Sequence, residues 1–258
     1  PPQYRVLMLS KAAEDESDSF LAQGGICMLQ GQEDFAAYFE DTMRAGHYEN
    51  DEAAVKLMIG SSPAMIAELV KDGVDFARDG KGNFRLTREG GHSRPRILFH
   101  GDETGKEITS HLLAEARTRE NCTICEYTEI LDIIAGQDGC CGGVLRDIAS
   151  GEIFPVYADC TLLATGGVGG LFQNSTNYRH LTGDALGIAL RRGIEVEHLD
   201  YVQIHPTTLF SSKPGRRFLI SESVRGEGAV LLDKDGERFC NELMPRDVVT
   251  GDIRAQMQ

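Results

Sequence analysis

The order of apolar and polar positions reads as strands alternating with helices. Residues 5–9, Arg5-Val6-Leu7-Met8-Leu9, form a short apolar run of buried-strand type, and residues 12–19 are acidic and polar, a loop. Ala22-Gln23-Gly24-Gly25-Ile26 then breaks that polarity with two glycines. From Glu33 the apolar residues Phe35, Phe39 and Met43 recur at helical spacing as far as Gly46. Asp51 caps a second helix that runs to about Gly60. Ser62-Pro63, an N-cap followed by proline at the first helical position, starts a third, which stops at Gly73. Residues 79–96 are glycine-rich and basic and fit only a loop. A helix over about 106–119 carries Ile108, Leu112 and Leu113 on one side. Short strands at 122–128, 129–135, 143–147 and 153–157 make a small meander. It feeds a buried strand at 160–164 that ends in Thr165-Gly166-Gly167-Val168-Gly169-Gly170. Residues 182–192 read as a helix stopped by Gly193. After Leu199 turn residues multiply, which places a domain boundary near 199. Strands interleaved with helices and glycine turns predict an α/β protein with a parallel sheet.

Composition narrows the function. The chain of 258 residues carries 26 basic against 40 acidic side chains, a formal charge of −14. An acidic surface argues against nucleic acid and against an anionic membrane. No stretch of about 18 apolar residues stands out as a transmembrane helix. The seven cysteines are an odd number in a long chain, which points to free thiols and a cytoplasmic setting. Cys122-Thr-Ile-Cys125 has C-x-x-C spacing, but zinc needs a second suitable pair, and the adjacent Cys140-Cys141 in a hairpin supply one poorly. No metal site is expected.

Two places can hold chemistry. Glycine turns after strands, at 22–25 and 165–170, bring backbone N–H groups toward a pyrophosphate. The full G-x-G-x-x-G fingerprint is absent. The second is a set of cationic and polar residues: Glu89, His92, Arg94 and Arg96 in one loop, then His205, then Ser221, Glu222 and Arg225, then Arg246. Arginine grips carboxylates with two parallel hydrogen bonds. In so acidic a chain such a cluster suits a dicarboxylate.

These residues carry a resemblance. Leu9-Ser10-Lys11, Phe20-Leu21-Ala22-Gln23-Gly24-Gly25-Ile26, the TREGGHS run at 87–93, ATGG at 164–167, Gly183-Asp184, His205-Pro206-Thr207, RGEGA at 225–229 and PRDV at 245–248 occur in this order. The chain resembles, almost end to end, the flavoprotein family of succinate dehydrogenase, fumarate reductase and L-aspartate oxidase, and the L-aspartate oxidases most. The resemblance implies a doubly wound, Rossmann-like FAD-binding domain over 1–198 and the start of a capping domain over 199–258. It also implies a chain that lacks family segments at both ends, among them the first strand with its G-x-G-x-x-G loop, and that is inactive by itself.

Residue by residue, the resemblance assigns Lys11, Asp18, Ser19, Phe20, Leu21, Ala22, Gln23, Gly24, Gly25, Gly166, Gly167 and Asp184 to FAD. It assigns Glu89 to the substrate ammonium, and His205 and Ser221 to its carboxylates. Arg246 is the implied proton donor or acceptor, with Glu222 and Arg225 as its relay. Asp18 stands where the dehydrogenases carry the flavin-linking histidine, so FAD is expected to be non-covalent. Thr250-Gly251 departs from the small residue and arginine of many relatives. The implied reaction is oxidation of L-aspartate to iminoaspartate with O2 or fumarate as acceptor, feeding quinolinate synthase and NAD biosynthesis. The alternatives are a soluble fumarate reductase or succinate dehydrogenase flavoprotein, and a non-catalytic fragment.

Overall fold

The computed structural model describes residues 3–258. In chain order they form β1 (Val6–Leu9), α1 (Asp18–Leu21), β2 (Ile26–Cys27), α2 (Gln32–Ala45), α3 (Glu52–Lys71), β3 (Ile97–Leu98), α4 (Thr104–Thr118), β4 (Cys122–Cys125), β5 (Thr128–Gly136), β6 (Gly139–Asp147), β7 (Ile153–Tyr157), α5 (Asp184–Arg192), α6 (Glu222–Gly226) and α7 (Arg246–Gln256). β1 and β4 pair in parallel, with Val6 opposite Cys122. β2 and β3 pair antiparallel, and β5-β6-β7 is an antiparallel meander. The α/β class and the meander are as the sequence predicts. Among the described residues, parallel pairing is confined to β1 and β4.

The chain divides into two compact units. The first holds residues 1–18, 113–202 and 210–218. In it α5 lies along β5: Arg192 binds Asp132 through Nε (2.9 Å) and Nη2 (2.8 Å), and Arg191 Nη2 donates to Leu131 O at 2.7 Å. Two expectations change here. Val6 and Leu7 of β1 are exposed rather than buried. Residues 160–164 form no strand, and Leu162 is 90% exposed. A strand exists only where its backbone groups have a ladder to join, and none of the described strands pairs with this segment.

The second unit holds residues 19–112, 203–209 and 219–258. Its apolar interior has two parts. Leu29, Tyr38, Met43, Val55 and Ile59 pack together with Cys27, Phe35 and Phe39 at the edge. Ile66, Val74, Phe76 and Leu98 form the other. The stripe Val55, Ile59 and Ile66 belongs to one helix, α3, where two were expected. Asp51 caps it as predicted, accepting from Ala54 N at 2.7 Å. Pro63 does not end it. Proline leaves the carbonyl four residues earlier without its N–H partner. Here that carbonyl is Ile59 O, and Ser62 Oγ donates to it at 2.8 Å. The repair makes α3 a 20-residue helix of mean hydropathy 1.4, long and apolar enough by length and composition to cross a membrane. The sequence expectation is that no such stretch stands out, and by length and composition alone this one does.

On α2 the buried face is not the one the apolar spacing picks out. Met43 is buried, but its companions are Asp34, Tyr38 and Asp41, while Phe35 and Phe39 are only partly covered. On α4 the buried residues are Thr104 and Gly105, and Leu112 is exposed.

Candidate functional site

In the first unit Lys11, in the turn after β1, reaches Asp184 at the start of α5. Its Nζ donates to Oδ2 at 2.9 Å, to Oδ1 at 3.1 Å, and to Thr182 Oγ1 at 2.9 Å. A carboxylate at a helix N-terminus is favoured by the exposed N–H dipoles. Asp18 accepts from Asn177 Nδ2 and from Tyr178 N (3.2 Å), and burial raises its pKa above the ordinary carboxylate range. Gly166 and Gly167 lie in the irregular segment before the 3-10 turn at Gly169–Leu171, and a Cβ on Gly167 would meet nothing within 4 Å.

In the second unit Ser19, Phe20 and Leu21 complete α1. Ala22 O accepts from Gly105 N at 2.8 Å, which ties the segment to the first turn of α4. Gln23 Oε1 is buried without a hydrogen-bond partner. Gly24 comes close to Glu89: a Cβ there would lie 3.2 Å from Glu89 Oε1.

Glu89 belongs to a cluster within this unit. Ser221 caps α6, and the helix that follows puts Glu222 and Arg225 on one face, 3.5 Å apart. Arg246 opens α7 and donates through Nε to Glu222 Oε2 at 2.6 Å and through Nη1 to Gln203 Oε1 at 2.7 Å. Arg225 Nη1 donates to Glu242 O at 2.6 Å. Two glycines let the Glu89 loop lie against α6. A Cβ on Gly226 would come 2.8 Å from Arg88 O, and one on Gly90 would come 2.7 Å from Glu222 Oε1. The loop is backbone there, so Gly226 has little freedom to change.

The electrostatics follow from this packing. Burial, helped by the Glu222 charge, raises the Glu89 pKa against the pull of Arg246 and Arg225. Burial, then Arg246, pushes His205 down to about 4. Glu89 Oε1 and Arg225 Nε and Nη2 are buried without hydrogen-bond partners. An orphaned buried polar atom costs about 1–3 kcal/mol, so this cluster holds unspent donors and an unspent acceptor. A ligand bearing both a cation and carboxylates carries the groups complementary to them.

The other sequence candidates have different surroundings. Arg96, grouped by sequence with the cations open to a dicarboxylate, is fully buried and already spent on two carboxylates. Arg94 is exposed. Ser221 Oγ accepts from Ser223 N at 3.4 Å and lies 2.6 Å from Ser223 Oγ. Sequence reasoning missed Glu242, which is 2% exposed and accepts from Leu231 N at 2.8 Å and Arg238 Nη2 at 2.5 Å. It also missed Asp34 and Asp41, which pair with Arg96. The signal for the aspartates was a polar residue seven positions from another on an amphipathic helix.

Comparison with known proteins gives the family. A model described as FAD binding domain matches residues 2–258. An L-aspartate oxidase of Clostridium perfringens is 44% identical over 98% of this chain and 57% of its own length. One from Clostridium acetobutylicum is 42% identical over 96% of this chain and 57% of its own. The chain thus spans a little over half the length of these curated relatives. Among solved structures, E. coli quinol fumarate reductase superposes with a TM-score of 0.91 at 26% identity, covering 99% of this chain and 46% of that one.

Proposed function

The chain belongs to the FAD binding domain family, and from that premise we propose that it is part of an L-aspartate oxidase, converting L-aspartate to iminoaspartate. The observation that supports this most is Glu89. Its Oε1 is buried and unpartnered, in a cluster otherwise rich in cations. A dicarboxylate without an amine gives that oxygen nothing to accept, whereas the α-ammonium of aspartate donates to it.

Each side chain then has a role. Glu89 accepts from the ammonium. His205 and Ser221 hold carboxylate oxygens, and Arg225 offers its unpartnered Nε to the same ligand or to the charge that develops on it. Arg246 moves a proton, with Glu222 and Arg225 as its relay. The two-electron acceptance belongs to FAD when bound. Two features fit a flavin dinucleotide: the bare backbone at Gly167 and the orphaned Gln23 Oε1. Its proposed contacts are Lys11, residues 18–25, Gly166, Gly167 and Asp184. Asp18 offers no imidazole for a covalent link, so FAD is held reversibly. O2 or fumarate reoxidises the protein, quinolinate synthase consumes the product, and the setting is the cytoplasm. In this reading 1–198 bind the cofactor and 199–258 begin the cap.

A second reading, fumarate reduction, draws on the 0.91 superposition. One experiment separates the two. The full-length protein of which this chain is part, loaded with FAD, is mixed anaerobically with L-aspartate or with succinate, and loss of the oxidised-flavin absorbance is followed. Bleaching by L-aspartate is expected. Bleaching by succinate alone overturns the oxidase reading in favour of the second.

A further inference from the structure

Behind the Glu89 loop lies a buried charge network that the reaction does not touch. Arg96 is 0% exposed and every face of its guanidinium is used. Nη2 donates to Asp34 Oδ1 at 2.9 Å and Nε to Asp34 Oδ2 at 3.2 Å. Nη1 donates to Asp41 Oδ2 at 2.7 Å, and the plane lies 4.9 Å from the centre of the Tyr38 ring. Arg44 Nη2 reaches Asp41 Oδ1 at 2.8 Å, so two carboxylates face two guanidinium groups. Buried charges are tolerated when paired and hydrogen-bonded in this way.

Asp41 does more than balance charge. Its Oδ2 also accepts from Ser93 N at 2.7 Å and from Ser93 Oγ at 2.6 Å. Ser93 and Arg96 flank the end of the TREGGHS loop. The loop is tied again at Gly91, whose N–H donates to Leu243 O at 3.2 Å, and closes on itself where His92 N donates to Glu89 O at 3.3 Å. Its earlier end is held in a ladder, with Thr87 and Ile97 exchanging both backbone bonds. Glu89 therefore sits in a turn whose ends are pinned, while its own Oε1 makes no bond. Oε1 has no hydrogen bond to hold it. Its place is set by the turn.

We propose that Asp41, acting through Ser93 and Arg96, is a positioning residue that fixes Glu89 for the substrate ammonium. This rests on the oxidase reading above. Removing the network displaces Glu89 without changing any group that meets the reacting atoms. The loss should appear in substrates that carry an ammonium and be absent from those that do not.

The test uses Ser93→Ala, which removes one hydroxyl and leaves the Arg96 pairs intact, so the fold survives where Asp41→Ala would not. Aspartate oxidation and fumarate reduction are measured on the same FAD-loaded protein, with thermal midpoint as a check. Expected is a KM for L-aspartate raised roughly tenfold, the order a weakened hydrogen bond to a charged group costs. The kcat and the fumarate parameters stay unchanged, and Ser93→Thr, which keeps the hydroxyl, restores KM. Equal losses on both substrates, or no change on either, overturn the proposal. Wild-type protein that reduces fumarate but leaves aspartate untouched strikes instead at the oxidase reading, and the proposal falls with it.

Discussion

Arg246 and Glu222 meet at 2.6 Å, Nε of the one on Oε2 of the other, across 24 positions of sequence. Glu222 is nearly buried and lies 3.5 Å from Arg225 as well, so one carboxylate serves two cations. It also stands close enough to Glu89 to raise that residue's pKa. Glu222→Gln keeps the shape and removes the charge. Turnover should fall by about a hundredfold, since breaking a charged hydrogen bond costs on the order of 1.5–3 kcal/mol. The acid limb of the kcat/KM profile for L-aspartate should also move to lower pH, because Glu89 loses the neighbour that disfavours its ionisation. A limb that stays put shows that Glu89 does not control it.

Glu89 itself opposes folding when it is ionised. Its folded pKa lies above the ordinary value of 4.5, chiefly through burial. The folded state binds that proton more tightly than the unfolded state does. The stability linked to it is complete below pH 4.5 and is lost as pH rises through the folded value. Glu89→Gln should therefore raise the ligand-free thermal midpoint at pH 7.5 and leave it unchanged near pH 4.5, while abolishing aspartate turnover. A midpoint lowered at pH 7.5 would mean the carboxylate supports the loop.

How far the sequence reveals this protein depends on how local each signal is. The cap at Asp51, the stop at Gly193 and the meander were legible because each depends on a few adjacent residues. The cluster of Glu89, His205, Glu222, Arg225 and Arg246 was legible because its members sit in short motifs. What failed was long-range. Residues 160–164 look like a buried strand, but a strand requires a partner that no local pattern reveals. Asp34 and Asp41 look like the wet face of α2 until Arg96, more than fifty positions away, arrives to pair them. Arg96 in turn reads as a substrate cation until those aspartates are seen to use it up.

Ser62 carries the continuity of α3. Its hydroxyl donates to the carbonyl that Pro63 strands, and it accepts from Leu29 N at 3.0 Å in the apolar interior. Ser62→Ala should destabilise by about 1–3 kcal/mol, the usual cost of leaving buried polar groups unpaired. Pro63→Ala returns an N–H to Ile59 O, so the same serine substitution should cost less in that background. A thermodynamic cycle of the four proteins measures the coupling. Strict additivity would show that Ser62 and Pro63 act separately.

His205 should take up a proton when substrate binds. Its Nδ1 lies 3.1 Å from Thr207 O and 3.3 Å from Thr207 N. The Thr207 N–H can only donate, so in the neutral ring Nδ1 accepts it and the ring hydrogen lies on Nε2. With its pKa held at about 4, by burial first and then by Arg246, the ring is neutral at working pH. A substrate carboxylate accepts from Nε2–H, and its charge favours the imidazolium, whose second hydrogen goes to Nδ1 beside Thr207 O. The pKa of His205 therefore rises on binding. Near pH 5, between the lowered value of about 4 and the ordinary 6.5, a dicarboxylate should bring in close to one proton from buffer, and the uptake should fall as pH rises past the ordinary value. Isothermal titration in two buffers of different ionisation enthalpy measures that number directly. His205→Asn should reduce it to near zero and weaken binding roughly tenfold. Binding without proton exchange in the wild type would mean that the ring stays neutral and meets the carboxylate only through Nε2–H.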